Sequence, residues 1–201
     1  MSGGMKGLAD NLPEKAALLR RVKASRGGWN PDFRPPGLEP TGPGEESVWD
    51  YPRPPLMAPA PAPIRVLHGD RLVAASDRAV EVKETAGAPV PYVRPADVRT
   101  DWLVPNGRLS VCEWKGVAVG FDLVVPGAAP VADAAWCYPD PFDDLAEGYA
   151  GLAGWFAFYP GKLACFVGEE RARPQPGGFY GGWVTDRIKG PIKGAPGSQG
   201  W

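Results

Sequence analysis

Glycine and proline constrain the fold of this chain more than any other feature of its sequence. The 201 residues include 27 glycines and 25 prolines, roughly twice the ordinary usage. A helical bundle is excluded, because proline lacks the amide hydrogen that a helix needs and glycine loses the most backbone freedom on folding. Hydrophobic residues make up 44% of the chain and include eight tryptophans, which argues against general disorder. We therefore expect a mainly β fold, with a small barrel-like or folded β-sheet, one short core helix and extended arms at both ends.

Charge and cysteine content exclude several classes of partner. The formal net charge is −1, so the chain lacks the overall basic character that favours nucleic-acid binding. No apolar run approaches the ~20 residues that span a bilayer, and residues 1–6 lack the apolar stretch of a secretory signal. Cys112, Cys137 and Cys165 are spaced too widely for a structural zinc site. We expect reduced thiols in a cytoplasmic protein that needs no metal or other cofactor and binds neither nucleic acid nor membrane.

Prolines and aromatic residues divide the chain into four segments. Residues 1–63 hold 12 of the 25 prolines but four of the 21 aromatic residues. Trp49 and Tyr51 interrupt this proline-rich stretch, which indicates that it is anchored on the domain. The predicted segments are an irregular arm with a basic helix over 1–45, an anchored proline-rich segment over 46–63, a β domain over 64–168, and a glycine-rich tail over 169–201 that wraps the domain with Phe179, Tyr180, Trp183 and Trp201.

The N-terminal arm contains one helix signal. Asn11 suits the cap position, Glu14 can reach back to it, and Gly27-Gly28 would end the helix. The basic residues of this helix indicate a solvated face or, alternatively, a docking surface for an acidic partner. Since residues 1–45 carry few apolar anchors, we expect the arm to be dispensable for folding.

Short strands are predicted throughout the middle of the chain. Gly69-Asp70 is a turn dipeptide between two apolar runs, so residues 64–67 and 72–75 should pair as a hairpin. A second tight turn is expected at Gly116. The core helix is predicted over 142–152, where neighbouring aspartates would cap its start rather than bind a metal. Further strands are predicted over 80–84, 90–93, 98–104, 109–115, 117–125, 131–138, 155–159 and 163–167.

The segment Cys112-Glu113-Trp114-Lys115 contains the strongest candidates for catalysis. On a strand, alternation would place Glu113 and Lys115 on one face, which Leu109 and Val111 continue. If that face points inward, Glu113 and Lys115 form an acid–base pair in a pocket. If it points outward, they form a solvated ion pair that contributes little to stability.

Other residues of the same chemical types could complete this pocket. Glu84 ends an alternating strand and shares a face with Val80 and Val82, so it is a further candidate carboxylate. Lysine and tyrosine can hold a substrate and exchange protons with it, although tyrosine is also common at the rim of a core. The catalytic candidates are Lys115, Glu113 and Glu84, and the substrate-binding candidates are Trp114, Tyr138, Tyr159, Lys162, Trp136, Tyr92 and Arg78.

Several long, aromatic-rich motifs resemble those of a known family. They occupy residues 46–54, 112–116, 135–141, 157–162 and 175–183. Together they resemble domain-of-unknown-function family 427, which is also filed as a nucleotidyltransferase-like domain. The resemblance implies a compact, mostly β fold similar to the Mss4-like β-complex, with a pocket but without an established activity. After Glu84-Thr85 the family often has His-Pro-Pro, and this chain has Ala86-Gly87-Ala88-Pro89 instead.

Two functions of different classes remain open. The first is a cytoplasmic small-molecule enzyme that uses lysine, glutamate and tyrosine for proton transfer on an uncharged or carbonyl-bearing substrate, without a redox cofactor. The second is a non-catalytic ligand-binding or protein-interaction module whose aromatic arms form the working surface. Nucleotidyl transfer is not expected, because no glycine-rich loop precedes a helix carrying the lysine and hydroxyl that hold phosphates.

Overall fold

The computed structural model describes residues 12–26, 28, 30–146, 148–198 and 201. They belong to two compact units: unit 1 contains the described residues before Phe33 together with Thr100–Phe156, and unit 2 contains Phe33–Arg99 and Ala157–Trp201. The described elements, in chain order, are α1 (Lys15–Ser25), β1 (Glu46–Ser47), β2 (Leu56–Pro59), β3 (Ile64–His68), β4 (Arg71–Ser76), β5 (Val80–Lys83), β6 (Val90–Tyr92), 3-10 turns at Pro95–Asp97 and Thr100–Trp102, β7 (Leu103–Cys112), β8 (Gly116–Leu123), β9 (Val131–Cys137), a 3-10 turn at Tyr149–Leu152, β10 (Phe156–Phe158), β11 (Ala164–Val167), β12 (Glu170–Arg171), β13 (Arg173–Pro174), β14 (Trp183–Val184) and β15 (Ile188–Lys189).

Three antiparallel strands form the framework of unit 1. β8 lies between β7 and β9. Its side chains are mostly buried on both faces, because Val117, Ala118 and Val119 are all apolar. On β7, by contrast, Leu109 and Val111 are 50% and 53% exposed. β8 is therefore the core strand of unit 1, and β7 presents one apolar stretch to solvent.

Helix α1 packs into the core of unit 1. Glu14 caps the helix, since its carboxylate accepts hydrogen bonds from the amides of Ala16 (2.9 Å) and Ala17 (2.7 Å). Leu18 is buried against Val117 and Phe142. The expectation that the N-terminal arm carries few anchors is therefore wrong for α1. The predicted cap Asn11 and the predicted stop residue Gly27 lie outside the described residues.

The basic residues of α1 meet carboxylates of the same unit. The ammonium of Lys15 lies 2.9 Å from Asp140, and the guanidinium of Arg26 lies 2.7 Å from Asp144. Lys23 contacts Asp144 at 3.3 Å. Arg20, Arg21 and Lys23 are exposed, as the solvated-face reading predicts, while docking on an acidic partner stays a prediction.

The helix predicted over 142–152 is wrong. The described part of this segment is irregular apart from the 3-10 turn at Tyr149–Leu152. Phe142 is buried and its amide donates to the carbonyl of Lys115 at 3.1 Å, so the backbone here serves a tertiary contact. Gly148 adopts a left-handed conformation with φ of 72°, which a continuous helix cannot contain. The strand predicted over 98–104 also starts late, because the 3-10 turn Thr100–Trp102 precedes β7.

Small open sheets build unit 2. The predicted hairpin is confirmed as β3 and β4, and the four-stranded sheet has the order β12-β11-β3-β4. A three-stranded antiparallel sheet has the order β2-β5-β6, while β1 pairs with β15 in parallel and β13 pairs with β14. The mainly β prediction is confirmed, and among the described residues no sheet closes into a barrel. In that part of the chain we also find no helix with the length and hydrophobicity that a bilayer span requires.

The aromatic residues of the C-terminal tail differ in burial. Trp183 is buried and its indole nitrogen donates to the carbonyl of Phe158 at 2.9 Å. Trp201 packs edge-on against Trp49 with ring centres 5.4 Å apart. Phe179 is 71% exposed, so the prediction that it anchors the tail is wrong.

The packing of Leu18 gives a stability prediction. Leu18→Ala should lower the free energy of unfolding by about 2 kcal/mol, because it removes a buried side chain from the contact with Val117 and Phe142. Urea denaturation followed by tryptophan fluorescence measures this change. Arg20→Ala, at an exposed position of the same helix, is the matched control and should change stability by less than about 0.5 kcal/mol. Equal unfolding midpoints for Leu18→Ala and the wild type would contradict the packing.

The three thiols should differ in reactivity. Cys137 and Cys165 are buried and Cys112 is half-buried. Burial raises the pKa of the Cys137 thiol to about 12 and also raises the pKa of Cys165, so little thiolate forms at neutral pH. We expect Ellman's reagent to modify Cys112 in the native protein and all three cysteines in denaturant. Native Cys112→Ser protein should not react; rapid reaction of two or more thiols in the native wild type would show that the cores are open.

Candidate functional site

The predicted site residues are divided between the two units. The structure therefore does not bring them together as one set within a unit, and each group is described by itself. Unit 1 contains Glu113, Trp114, Lys115, Trp136 and Tyr138, and unit 2 contains Arg78, Glu84, Tyr92, Tyr159 and Lys162.

In unit 1, Glu113, Trp114 and Lys115 form the turn between β7 and β8. β7 ends at Cys112 and β8 begins at Gly116, whose φ of 97° favours glycine. The prediction that Glu113 and Lys115 share a strand face is wrong, because strand alternation does not apply within a turn. The exposure of Leu109 and Val111 also shows that the strand face they mark is not a core face.

Lys115 is buried beside an aromatic ring. The residue is 7% exposed to solvent. Its ammonium lies 5.8 Å from the ring centre of Tyr138, which is also buried. A desolvated lysine over an aromatic face gains a cation–π attraction of about 2 kcal/mol. The structure thus brings two of the predicted residues, Lys115 and Tyr138, together in a buried environment.

Arg26, the residue after α1, contacts the same turn. Its guanidinium lies 5.2 Å from the ring centre of Trp114 and donates two hydrogen bonds, of 2.8 and 2.6 Å, to the carbonyl of Glu113. Partial burial opposes ionisation of Asp144, but its hydrogen bond with Arg26 keeps its pKa below the usual range. Sequence reasoning missed Arg26 and Asp144, since their positions in the chain say nothing about Trp114.

Trp114 carries a polar atom that the described residues leave unsatisfied. The indole Nε1 is buried and has no hydrogen-bond partner among the described residues. A buried donor without a hydrogen-bond partner lowers the stability of the folded state by roughly 1–3 kcal/mol. Such groups are rare in native proteins, so each one needs a physical reason. In the same turn, the carboxylate of Glu113 is half-buried and lies 3.4 Å from the hydroxyl of Ser25. Trp136 is half-buried on β9, opposite Gly120 of β8.

The predicted residues of unit 2 occupy three kinds of environment. Glu84 follows β5 and lies 3.8 Å from the guanidinium of Arg53. Tyr92 is buried on β6, while Arg78 is exposed on the surface. Lys162 is exposed and its ammonium lies 5.8 Å from the ring centre of Tyr159. Lys162 and Tyr159 are thus the second pair of predicted residues that the structure brings together.

A buried charge cluster in unit 2 was not predicted. The carboxylate of Glu46 accepts hydrogen bonds from Tyr51 (2.7 Å), Lys83 (2.7 Å) and Arg187 (2.6 Å). Arg187 also donates to Glu81 at 2.6 Å, and Glu81 is 1% exposed. Strand alternation missed Glu81, because it predicts that Glu81 points away from Val80 and Val82. β5 is the central strand of its sheet, and both Glu81 and Val82 are buried.

Electrostatics gives this cluster a structural role. Burial works against ionisation of Glu46, but the hydrogen bonds from Lys83 and Tyr51 lower its pKa. Burial and the neighbouring carboxylate of Glu46 raise the pKa of Tyr51. Glu46 therefore stays ionised and Tyr51 protonated near neutral pH, so neither is poised to exchange a proton.

Across the described residues, no three histidine, cysteine or acidic side chains are grouped as a metal site would require.

Tyr51 should make stability depend on alkaline pH. Since its pKa is raised in the folded protein, the stability that it contributes is complete below its ordinary pKa of 10 and is lost as the pH rises above it. Tyr51→Phe should lower the free energy of unfolding by about 1 kcal/mol at pH 7 and flatten its decline above pH 10. Guanidinium denaturation from pH 7 to 11 tests this, with Tyr180→Phe as control. Parallel pH profiles for the wild type and Tyr51→Phe would exclude the assigned hydrogen bond.

Comparison with known proteins identifies the family. A search among curated proteins found no match to the chain. The family model described as Domain of unknown function (DUF427) matches residues 56–169. The match contains the turn with Lys115, as well as Tyr138, Glu81 and Lys162, while Glu46 and Arg187 lie outside it. Because this match covers more than half of the 201 residues, the chain belongs to the DUF427 family, as its motifs predict.

Proposed function

We propose that the protein is a small-molecule enzyme that transfers protons at the turn between β7 and β8. The observation that carries this proposal is the burial of Lys115, 7% exposed, beside the ring of Tyr138. Lysine is rarely found buried in folded proteins. Enzymes use buried lysines as general bases or nucleophiles, because desolvation favours the neutral amine.

The neighbouring residues suit an uncharged or carbonyl-bearing substrate. The buried indole N–H of Trp114 lacks a partner among the described residues and could donate to a carbonyl oxygen that becomes more negative during proton transfer. Glu113 supplies a second acid–base group in the same turn, and Tyr138 orients Lys115. Arg26 and Asp144 hold the turn in place. This chemistry needs no redox cofactor.

Two broader expectations belong to the same proposal. The small open sheets of both units support an architecture similar to the Mss4-like β-complex. Cys112, Cys137 and Cys165 are free thiols, which supports a reducing compartment such as the cytoplasm.

A second candidate function is a non-catalytic interaction module. It is favoured by one observation: Phe179 is 71% exposed and stacks edge-on against Tyr180, with ring centres 5.2 Å apart. Exposed aromatic side chains are typical of interaction sites. In this case the C-terminal tail, rather than Lys115, is the working surface.

Hydrogen exchange with solvent distinguishes the two candidates without knowledge of the substrate. Wild-type protein in D2O is incubated with a mixture of carbonyl-bearing metabolites, and deuterium incorporation is followed by mass spectrometry. We expect one compound to gain deuterium, and Lys115→Met to slow this exchange by 100-fold or more while preserving the thermal unfolding midpoint. Lys193→Met is the matched control, because Lys193 also lies over a tyrosine ring, at 5.5 Å from the centre of Tyr180.

The outcome decides between the assignments. Exchange that persists in Lys115→Met would overturn the role of Lys115. No exchange in the wild type, together with a bound protein or ligand that is lost in Phe179→Ala, would favour the interaction module.

A further inference from the structure

A second site lies in an open groove of unit 2. The groove has a volume of about 400 Å³ and lies between the end of β3, the turn at Gly69, residues 160–164 and β12. This volume falls in the range of small-molecule sites in proteins. Leu67 and the buried Leu163 give the groove an apolar part.

Every ionisable side chain that lines the groove is basic. These residues are His68, which is the one histidine of the chain, Lys162 and Arg171. No carboxylate lines the groove. A groove with two permanent cations and a histidine attracts anions and repels cationic ligands.

The chain holds the two cations in defined places. The amides of Lys162 and Leu163 both donate to the carbonyl of Tyr159, at 3.0 and 3.1 Å, so Lys162 sits in a tight turn. Its ammonium lies 5.8 Å from the ring centre of Tyr159. Arg171 lies on β12, where it pairs with Phe166 of β11.

The acidic residues next to Arg171 in the chain engage other groups. Glu169 contacts Arg65 at 3.0 Å, and Glu170 accepts a hydrogen bond from the amide of Asp186 at 2.7 Å. Asp70, beyond the turn at Gly69, pairs with Arg71 at 3.4 Å. None of these three carboxylates lines the groove, and Glu169 and Asp70 pair with arginines that lie outside its lining.

We propose that this groove binds a small organic phosphate. A phosphate monoester carries about two negative charges at neutral pH, which matches the charges of Lys162 and Arg171. The guanidinium of Arg171 can bind two phosphate oxygens at once, Lys162 supplies a point charge, and His68 supplies a further donor. Leu67 and Leu163 contact the organic part. This site is independent of the function proposed for Lys115.

Calorimetric titration with phenyl phosphate and with inorganic phosphate tests the proposal. We expect saturable binding of phenyl phosphate to the wild type, tighter than that of inorganic phosphate because of the apolar contacts. Lys162→Met and Arg171→Met should each weaken binding at least tenfold, and the double variant should abolish it. Lys162 and Arg171 are both exposed, so the thermal unfolding midpoint without ligand should not change.

Two controls make the result specific. Lys193→Met removes a lysine of the same unit that does not line the groove and should bind phenyl phosphate like the wild type. Lys115→Met should also bind normally, so failure of the Lys115 proposal and failure of this one can be told apart. Absence of saturable binding, equal binding by the double variant, or equal affinity for phenyl phosphate and inorganic phosphate would overturn the organic-phosphate site.

Discussion

Unit 2 depends on how the buried charge of Glu81 is compensated. Burial raises the pKa of Glu81 even though Arg187 and Lys83 act to lower it, and an ionised carboxylate that is 1% exposed costs several kcal/mol unless cations and hydrogen bonds replace water. Arg187 does this at 2.6 Å, and it also contacts Glu46 at 2.6 Å. Because Glu46 begins β1 and Arg187 immediately precedes β15, compensation of one charge on β5 fixes two chain segments that are far apart in sequence. The two-residue strands β1 and β15 are too short to be stable on their own, and the buried apolar cluster that contains Val48 and Ile188 supports them as well.

Local sequence signals predicted the elements whose stability is local. The β3–β4 hairpin follows from Gly69-Asp70 and its flanking apolar runs, and α1 lies within the helix predicted between Asn11 and Gly27, with Glu14 as its cap. Predictions from local sequence patterns were wrong where tertiary contacts determine the backbone conformation or the burial of a side chain. Gly148 and the hydrogen bond between Phe142 and Lys115 replace the expected helix, and Glu81 and Val82 are both buried although strand alternation places them on opposite faces of β5. An arginine 141 residues from Glu46 cannot be found by any local pattern.

In unit 1 the structure buries three of the candidate residues, but the contacts that hold them were not predictable from the sequence. Trp114, Lys115 and Tyr138 are buried, yet the strand predicted to carry Trp114 and Lys115 ends at Cys112. The turn is held instead by Arg26, which combines a ring contact with two hydrogen bonds to one carbonyl. The aspartates expected to cap a helix serve α1 as ion-pair partners. The N-terminal helix is therefore part of the site's support.

Both proposed sites contain a lysine over a tyrosine ring, and burial is what separates their chemistry. The ammonium lies 5.8 Å from the ring centre in Lys115–Tyr138 and in Lys162–Tyr159. Lys115 is almost completely removed from water, the environment in which enzymes use lysine as a general base. Lys162 is exposed, so it keeps its hydration and serves an anion as a point charge. The same pair of side chains thus suits catalysis in one unit and charge recognition in the other.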